Sequence, residues 1–180
     1  MERAEFDLTE HNKIKNKIES ILYTNQKDKE KIVDLEKWTY KIISYDIEER
    51  MYHQQVPKRG EVWAVDLGIN VGDVMNKVRP CIIVSYDEFN ENSNCTTVIP
   101  ITHADFNFKT QFILDESKLK PSDNLVSGTV KTEQIRTVSK AQLGYKIAEL
   151  NDEGMKLMNN ALKNHLDLDW KFFNTKKEGD

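Results

Sequence analysis

Asn76-Lys77-Val78-Arg79-Pro80-Cys81-Ile82-Ile83-Val84 joins a polar stretch to a continuous apolar run in this chain of 180 residues. An apolar run of this kind, bounded by turn-forming residues, predicts a buried β-strand. Arg79 stands at the entrance of that strand, where a sheet can hold it rigidly while its guanidinium reaches a cleft. A guanidinium stays charged and donates paired hydrogen bonds, which makes Arg79 a candidate anion-binding residue. The alternative is an ordinary surface arginine.

The sequence changes character at Pro57-Lys58-Arg59-Gly60, after which short apolar runs alternate with turn signals. Closely spaced short strands in a small domain predict a compact, curled antiparallel sheet or partial barrel. The predicted strands are Glu61–Leu67, Pro80–Tyr86, Thr96–Ile101, Gln111–Leu114, Val126–Thr132 and Tyr145–Ala148.

Helical signals follow the β-rich part. Ser139 with Gln142 predicts a one-turn helix with a capping box, and Asn151 or Asp152 is predicted to cap a closing helix. The apolar stripe of the closing helix is expected to face the core, and it consists of Met155, Met158, Leu162 and Leu166.

The first 55 residues are predicted to form a helical extension. Asp7 with Glu10 has the spacing of a capping box, and two apolar stripes follow at helical spacing. The stripes are Ile14, Ile18, Ile21 and Leu22, then Ile32, Leu35, Trp38 and Ile42. The polar run Thr24–Asp28 leaves open whether these are two helices in a hairpin or one long helix with a weak middle. We expect the extension to pack on the core or on a second subunit, and the alternative is a partner-binding or regulatory arm.

The predicted fold class is therefore α+β and mainly β. It comprises a helical N-terminal extension at residues 1–55, a β-rich domain with a C-terminal helix at residues 56–175 and a disordered tail at residues 176–180.

Charge and cysteine content narrow the classes of function. A net charge of −4 gives no global basic field for duplex binding, so a nucleic-acid function would need a local basic groove. Cys81 and Cys95 lack a metal-ligand spacing, which favours a reducing compartment. Neither a signal region nor an apolar stretch of spanning length is present, so we expect a cytoplasmic protein without a membrane partner.

Several familiar catalytic motifs are absent from the sequence. It has no glycine-rich phosphate loop, nucleophile elbow, paired-cysteine zinc pattern or histidine pair at ligand spacing. The four histidines, His11, His53, His103 and His165, are scattered along the chain. A metal-dependent nuclease is therefore disfavoured, and we expect no metal and no cofactor.

Polar residues at strand ends are the remaining candidates for chemistry. Thr102 closes the strand that ends at Pro100-Ile101, and its hydroxyl could donate to a phosphate oxygen. With Arg79 it would form a two-point clamp if the two strand ends converge; the alternative is a strand-end hydrogen bond. In Glu133-Gln134-Ile135-Arg136-Thr137, alternation predicts that Gln134 and Arg136 share one face, with structural charge pairing for Arg136.

An ordered set of short motifs between about Pro57 and Phe173 resembles the MazF/PemK family, the toxins of bacterial type II toxin–antitoxin pairs. The motifs are Arg59-Gly60-Glu61-Val62-Trp63, Asp66-Leu67, Val71-Gly72, Val78-Arg79-Pro80, Pro100-Ile101-Thr102 and Glu133-Gln134-Ile135-Arg136-Thr137. Their combination is specific, although no single one is. Residues 1 to about 55 lie outside the resemblance.

The resemblance implies an SH3-like partial barrel of the CcdB/MazF type, forming a homodimer with an RNA groove across the interface. It implies a metal-independent endoribonuclease that cuts single-stranded RNA, mRNA included, at short sequences. An antitoxin peptide would occupy the groove, and the toxin itself would not act on DNA.

The resemblance also assigns residues. Arg79 and Thr102 match the family's catalytic pair, and the Gly68–Lys77 loop matches a mobile segment that covers the substrate. Thr110 and Gln111 stand near base-reading positions, and Lys77 joins them as a candidate RNA contact. Cleavage would use the ribose 2′-hydroxyl as nucleophile and give a 2′,3′-cyclic phosphate and a 5′-hydroxyl, while Arg79 and Thr102 stabilise the charge that grows on the phosphate.

The chain departs from some family members five positions before Arg79, where Val74 replaces an acidic residue. Asp73 could substitute, Arg79 could serve both roles, or His103 could transfer the proton, since histidine is suited to that task near neutral pH. Val74 and the extra N-terminal helices favour a rival function, that of a catalytically attenuated homologue that binds RNA or a protein partner. The gyrase poisoning of the CcdB branch is a third function, which is disfavoured because it depends on C-terminal residues and the end of this chain resembles the RNase branch.

Overall fold

A computed structural model describes residues 8–22, 26–48, 55–104, 108–122 and 124–168. By its internal contacts the chain divides into two units, Met1–Ser44 and Tyr45–Asp180. The predictions for a cap at Asp7 and for a tail at residues 176–180 lie outside the described residues.

The first unit is helical. Helix α1 covers Leu8–Leu22, and helix α2 covers Gln26–Glu48, with its last turn in the second unit. The choice between two helices in a hairpin and one long helix with a weak middle falls on residues 23–25, which lie outside the described residues. Apolar side chains of both stripes, such as Ile14 and Ile42, are about half exposed at 54% and 47%.

The second unit is built on one curled antiparallel sheet, as the sequence predicts. Its seven strands have the spatial order β4-β5-β3-β2-β1-β7, and β6 also pairs with β3. The strands are β1 Glu61–Asp66, β2 Val78–Ile83, β3 Cys95–Thr102, β4 Phe112–Leu114, β5 Gly128–Val130, β6 Arg136–Ser139 and β7 Leu143–Glu149. Two helices accompany them, α3 Asp87–Asn92 and α4 Asp152–His165.

Strand β3 holds the two halves of the sheet together. One of its edges pairs with β2, while the other edge pairs first with β6, over Cys95–Val98, and then with β5, over Ile101–Thr102. The segment Val98–Ile101 is buried at every position. A strand covered on both faces needs a continuous apolar run, which is what its sequence supplies.

A large apolar core lies between one face of the sheet and helix α4. Its fully buried members include Val62, Ile82, Ile99, Ile101, Leu114, Leu150 and Met158. Helix α4 starts at the predicted cap, because the Asn151 side chain accepts a 3.0 Å hydrogen bond from the Gly154 amide. The predicted stripe is wrong at Leu166, which lies past the end of the helix and is 49% exposed.

A smaller core covers the opposite face of the sheet. It consists of Val65, Leu67, Cys81, Ile83, Val98, Val138 and Leu143, with Trp63 and Met75 packed against it. Cys81 is 0% exposed, and burial raises the pKa of its thiol to about 12. Successive residues of the apolar run Cys81–Val84 thus belong alternately to the two cores. This alternation fixes the register of β2 in the sheet.

Strand β6 was not predicted, and the segment before it differs from expectation. Thr132–Gln134 is a 3-10 turn, so the strand starts only at Arg136. The prediction that Gln134 and Arg136 share one face of a strand is therefore wrong. The capping box that follows is confirmed, because Ser139 accepts from the Ala141 amide and Gln142 accepts from the Ser139 amide.

Helix α3 was also missed, since its sequence Asp87–Asn92 carries no apolar periodicity. A buried polar contact stabilises it instead. The Asn90 side chain, 0% exposed, accepts hydrogen bonds of 2.7 Å from Ser85 and 2.9 Å from Thr96. Contacts of this kind join residues on different elements, so they cannot be predicted from local sequence patterns.

Replacing Gly154 by alanine is expected to destabilise the fold. The added Cβ would lie 2.5 Å from the Lys118 carbonyl oxygen and 3.2 Å from Leu150 side-chain atoms. Overpacking of about 1–3 kcal/mol should outweigh the roughly 1 kcal/mol of helix propensity that alanine gains. Urea denaturation should show a free energy of unfolding lower by about 1–2 kcal/mol. Asn160→Ala, at an exposed position of the same helix, is the matched control and should stay near wild type. A Gly154→Ala protein as stable as wild type would contradict this packing.

The two thiols should differ in reactivity in the folded chain. Cys81 is fully buried and its pKa is raised to about 12, so at pH 8 it has almost no thiolate, whereas Cys95 is half-buried. A thiol reagent should therefore modify one cysteine quickly in the native protein and both in denaturant. Cys95→Ser should abolish the fast reaction, and rapid modification of Cys81 in the native state would refute its burial.

Candidate functional site

Four strand ends meet at one end of the sheet: the end of β1, the start of β2, the end of β3 and the start of β5. In the β2–β3 pair, Cys81 lies opposite Pro100. Continuing this antiparallel register by two residues places Arg79 opposite Thr102. Opposite residues of an antiparallel pair project from the same face with Cβ atoms about 5 Å apart. The register therefore brings together the two strand ends whose convergence the sequence left open.

Arg79 is half-buried and is oriented by the loop before it. Its Nε donates a hydrogen bond of 3.2 Å to the Asn76 carbonyl. Among the described residues, its two terminal nitrogens have no hydrogen-bond partner. A guanidinium fixed through Nε keeps those two nitrogens for bidentate contact with an anion.

Thr102 is the last residue of β3 and is half-buried. Its hydroxyl oxygen accepts a hydrogen bond of 3.2 Å from the Ala104 amide, so the hydroxyl proton remains able to donate. Gly128 packs directly behind it: a Cβ at this position would lie 2.5 Å from the Thr102 carbonyl oxygen, and the φ of Gly128 is +141°. Glycine thus allows β5 to approach the end of β3 closely.

The sequence predicts structural charge pairing for Arg136 and does not place it at the candidate site. Arg136 lies opposite Val98 on β3, so alternation puts it on the same face as Thr102 and Arg79. The positive charges of Arg136 and Arg79 both act to lower the pKa of the buried Cys81 thiol, against the larger effect of burial, so both guanidinium groups lie near that residue. Only the register shows that Arg136 belongs to this face.

The contacts of Arg136 differ from the predicted charge pairing. Burial lowers the pKa of its guanidinium, yet an arginine stays protonated. Within the described part of the chain it makes no ion pair, and its Nη2 donates to the Met75 carbonyl at 3.2 Å. Arg136 therefore ties β6 to the loop that precedes β2.

The Gly68–Lys77 loop is internally hydrogen-bonded. Two backbone hydrogen bonds of 3.0 and 2.8 Å close its base. The Asn70 side chain donates to the carbonyls of Leu67 and Met75, both at 2.9 Å, and the Asn70 amide donates to the Asn76 side chain at 2.6 Å. The segment that the resemblance treats as mobile thus has a defined conformation here, with Val71 exposed at its tip.

The candidates for proton transfer are Asp73, on the loop before Arg79, and His103, directly after Thr102. Asp73 is exposed on the loop that leads to Arg79, beside Val74, which is 41% exposed. His103 is exposed and follows Thr102 directly, just past the end of β3. Asp73 and His103 both stay candidates, and neither has a described hydrogen bond that fixes its side chain.

The three candidate RNA contacts occupy different surroundings. Lys77 is exposed and adopts a left-handed backbone conformation with φ 67°. Thr110 is half-buried, and its carbonyl accepts a hydrogen bond of 2.7 Å from the Thr132 hydroxyl. Gln111 is only 4% exposed, and its amide donates to Glu133 at 2.5 Å. Lys77 is therefore accessible, whereas the Gln111 side chain is engaged within the protein.

Other features of the described residues lie apart from this site. A largely apolar cavity of about 680 Å³ is lined by Val84, Tyr86, Ile135 and Leu162 among others, but not by Arg79 or Thr102. No cluster of three or more histidine, cysteine, aspartate or glutamate side chains able to hold a metal ion occurs in the described ranges. Nor does any described helix have the length and apolarity needed to span a membrane.

Comparison with known proteins gives matches over the second unit. An endoribonuclease MazF of Staphylococcus saprophyticus is 34% identical over 107 residues, which cover 58% of this chain and 87% of that protein. Endoribonuclease MazF9 of Mycobacterium tuberculosis is 30% identical over 125 residues, covering 62% and 97%.

Solved structures share the same fold. An endoribonuclease from a mycobacterial species matches with a TM-score of 0.51 and 27% identity, over 64% of this chain and 96% of that one. A mycobacterial endoribonuclease in complex with its cognate antitoxin matches with a TM-score of 0.51 and 28% identity, over 63% and 98%. MazF from Deinococcus radiodurans, at 17% identity and a TM-score of 0.53, supports the fold alone.

The family match covers residues 58–166, which include every strand of the sheet and the closing helix. It confirms the resemblance drawn from the short motifs, and it leaves the helical extension outside. Since the match spans more than half of the sequence, this chain belongs to the PemK-like, MazF-like toxins of type II toxin–antitoxin systems.

Proposed function

We propose that this chain is the toxin of a type II toxin–antitoxin pair and an endoribonuclease that cleaves single-stranded RNA, mRNA in particular, without a metal ion. The observation that carries this proposal is the β2–β3 register, which sets Arg79 opposite Thr102 when it is continued by two residues past the Cys81–Pro100 pair. Both residues offer donors to the same face of the sheet, and a phosphate needs such convergent donors. With mRNA as substrate, the toxin acts in the cytoplasm.

The proposed reaction starts with attack of the ribose 2′-hydroxyl on the adjacent phosphorus. The 2′-oxygen loses its proton to a base, the bond from phosphorus to the 5′-oxygen breaks, and the 5′-oxygen takes up a proton. The products are a 2′,3′-cyclic phosphate and a 5′-hydroxyl. Asp73 and His103 are the proposed candidates for these proton transfers, from the loop and from the end of β3.

Arg79 and Thr102 act on the phosphate itself in this proposal. Negative charge grows on its non-bridging oxygens as the 2′-oxygen attacks. The terminal nitrogens of Arg79, aimed by the bond from its Nε to Asn76, and the hydroxyl of Thr102 donate to those oxygens. Donors already fixed before the reaction stabilise the transition state without a reorganisation cost, typically by about 3 kcal/mol each.

The proposed assembly is a homodimer with the RNA groove across its interface, in which a cognate antitoxin peptide can replace RNA. A similar mycobacterial endoribonuclease has been solved with its antitoxin, which supports that partner for this chain. Lys77, Thr110 and Gln111 are proposed RNA contacts, with Lys77 the exposed cation among them. Activity is assigned to residues 56–175, and residues 1–55 form the extension.

Binding of RNA without cleavage is the second candidate function. Val74, exposed where some relatives carry an acidic residue, favours it. It is the less supported function, because the similar proteins of Staphylococcus saprophyticus and Mycobacterium tuberculosis are both endoribonucleases. Gyrase poisoning has no observation in its favour.

Arg79→Ala and Thr102→Ala should each lower cleavage of a long single-stranded RNA by about 100-fold or more in EDTA, because each loses one transition-state contact. Fragments separated by gel electrophoresis give the rate. Thr137→Val, at an exposed strand position, is the matched control and should cleave like wild type. Intact RNA with the folded wild-type chain would favour the binding-only function, and undiminished cleavage by both alanine variants would remove the catalytic assignment.

A 2′-deoxy nucleotide placed on the 5′ side of the cleaved bond should block cleavage at that site alone, because the nucleophile is missing. Mass spectrometry of the products from the all-ribose oligonucleotide should show a 2′,3′-cyclic phosphate. The same 2′-deoxy substitution at an uncleaved position serves as control. Products with 5′-phosphate ends, or cleavage of the deoxy-substituted bond, would contradict 2′-hydroxyl attack.

A further inference from the structure

Two side chains after β5 reach the backbone of the Gly68–Lys77 loop. Gln134, in the 3-10 turn, accepts a hydrogen bond of 3.2 Å from the Met75 amide and donates one of 3.4 Å to the Asp73 carbonyl. Arg136, at the start of β6, donates to the Met75 carbonyl at 3.2 Å. The proposed reaction gives no role to either residue.

These contacts concentrate on Met75. Its amide and its carbonyl are both held from outside the loop, and its side chain packs against the smaller core. The next residue, Asn76, supplies the carbonyl that accepts from Nε of Arg79. One peptide unit therefore separates the anchored point from the support of the guanidinium.

We propose that Gln134 and Arg136 are positioning residues that clamp the loop at Met75 and thereby aim Arg79 at the phosphate. This rests on the proposed function, in which Arg79 binds the cleaved phosphate. Without the clamp, the Asn76 carbonyl moves with the loop and the guanidinium loses its fixed plane. A misplacement of about 1 Å at a reacting group can lower a rate by roughly 100-fold.

The contacts of Arg136 and Gln134 explain why we assign both residues a positioning role. One of its terminal nitrogens is committed to the Met75 carbonyl, and its guanidinium is partly buried next to Cys81. Gln134 carries no charge, and the described hydrogen bonds of its side chain go only to loop backbone. Loss of Gln134 should therefore change the orientation of Arg79 while leaving the charge of the site intact.

Gln134→Met in the full-length chain tests the clamp, because methionine matches the length of glutamine and makes neither hydrogen bond. With a short single-stranded RNA, kcat should fall about 10- to 100-fold. The Kd for the same oligonucleotide with 2′-deoxyribose at the cleaved position should stay within about twofold, since the charges that bind it are retained. Thr137→Val, three residues on and without a described loop contact, should leave both constants unchanged.

A double-mutant cycle separates positioning from general stability. In an Arg79→Ala background, Gln134→Met should cost almost nothing further, because the group that it aims is gone. An equal loss of rate in both backgrounds, or a kcat unchanged by Gln134→Met, would overturn the proposal. If Gln134→Met does not fold, Gln134→Leu, which also makes neither hydrogen bond and adds no charge, gives the same comparison.

A measurement that needs no RNA tests the clamp separately from the proposed function. The Nε–H signal of Arg79 in an NMR spectrum, assigned by its loss in Arg79→Lys, should exchange slowly with water because of its bond to Asn76. Gln134→Met should speed that exchange, and Thr137→Val should not. If wild type cleaves no RNA, the proposed function fails, and exchange at Arg79 alone decides the clamp; equal exchange in Gln134→Met and wild type overturns it.

Discussion

The antiparallel register between β2 and β3 is the constraint on which the site depends. A slip by one residue would send Arg79 and Thr102 to opposite faces of the sheet and dismantle their pairing. Apolar burial on both sides prevents such a slip: Ile82 and Ile99 belong to the larger core, whereas Cys81 and Val98 belong to the smaller one. The two cores therefore hold the site in place as well as the fold, although neither contacts substrate in the proposed reaction.

Under the proposed function, a chain with a net charge of −4 acts on RNA, and the distribution of charge at the site explains how. Its cations are local: Arg79 and Arg136 share one face, and Lys77 is exposed on the adjoining loop. Both guanidinium groups are partly buried next to an apolar core, where charge interactions are less screened than at an open surface. A field of short range suits a nuclease that must release its products better than a uniformly basic surface does.

Most of the strands and the caps at Ser139 and Asn151 could be predicted from the sequence, because they follow from local patterns. A specific set of family motifs identifies Arg79 and Thr102 as candidates, and their catalytic role stays a prediction. Helix α3 could not be predicted, since it depends on the buried contacts of Asn90 with β3. The clamp at Met75 could not be predicted either. It joins residues about 60 positions apart, through backbone groups that every residue possesses, so nothing in the side-chain pattern marks it.

Gly128 has a consequence for how the site can respond to substrate. The backbone at Gly128 packs closely against the Thr102 carbonyl, so Thr102 cannot move toward β5 and this side of the site is fixed. The opposite side of the site carries Arg79, and this side is held by hydrogen bonds that can break and form again. If Thr102 binds the phosphate as proposed, it sets the position of the phosphate, and we expect adaptation to different RNA sequences to come from the side that carries Arg79.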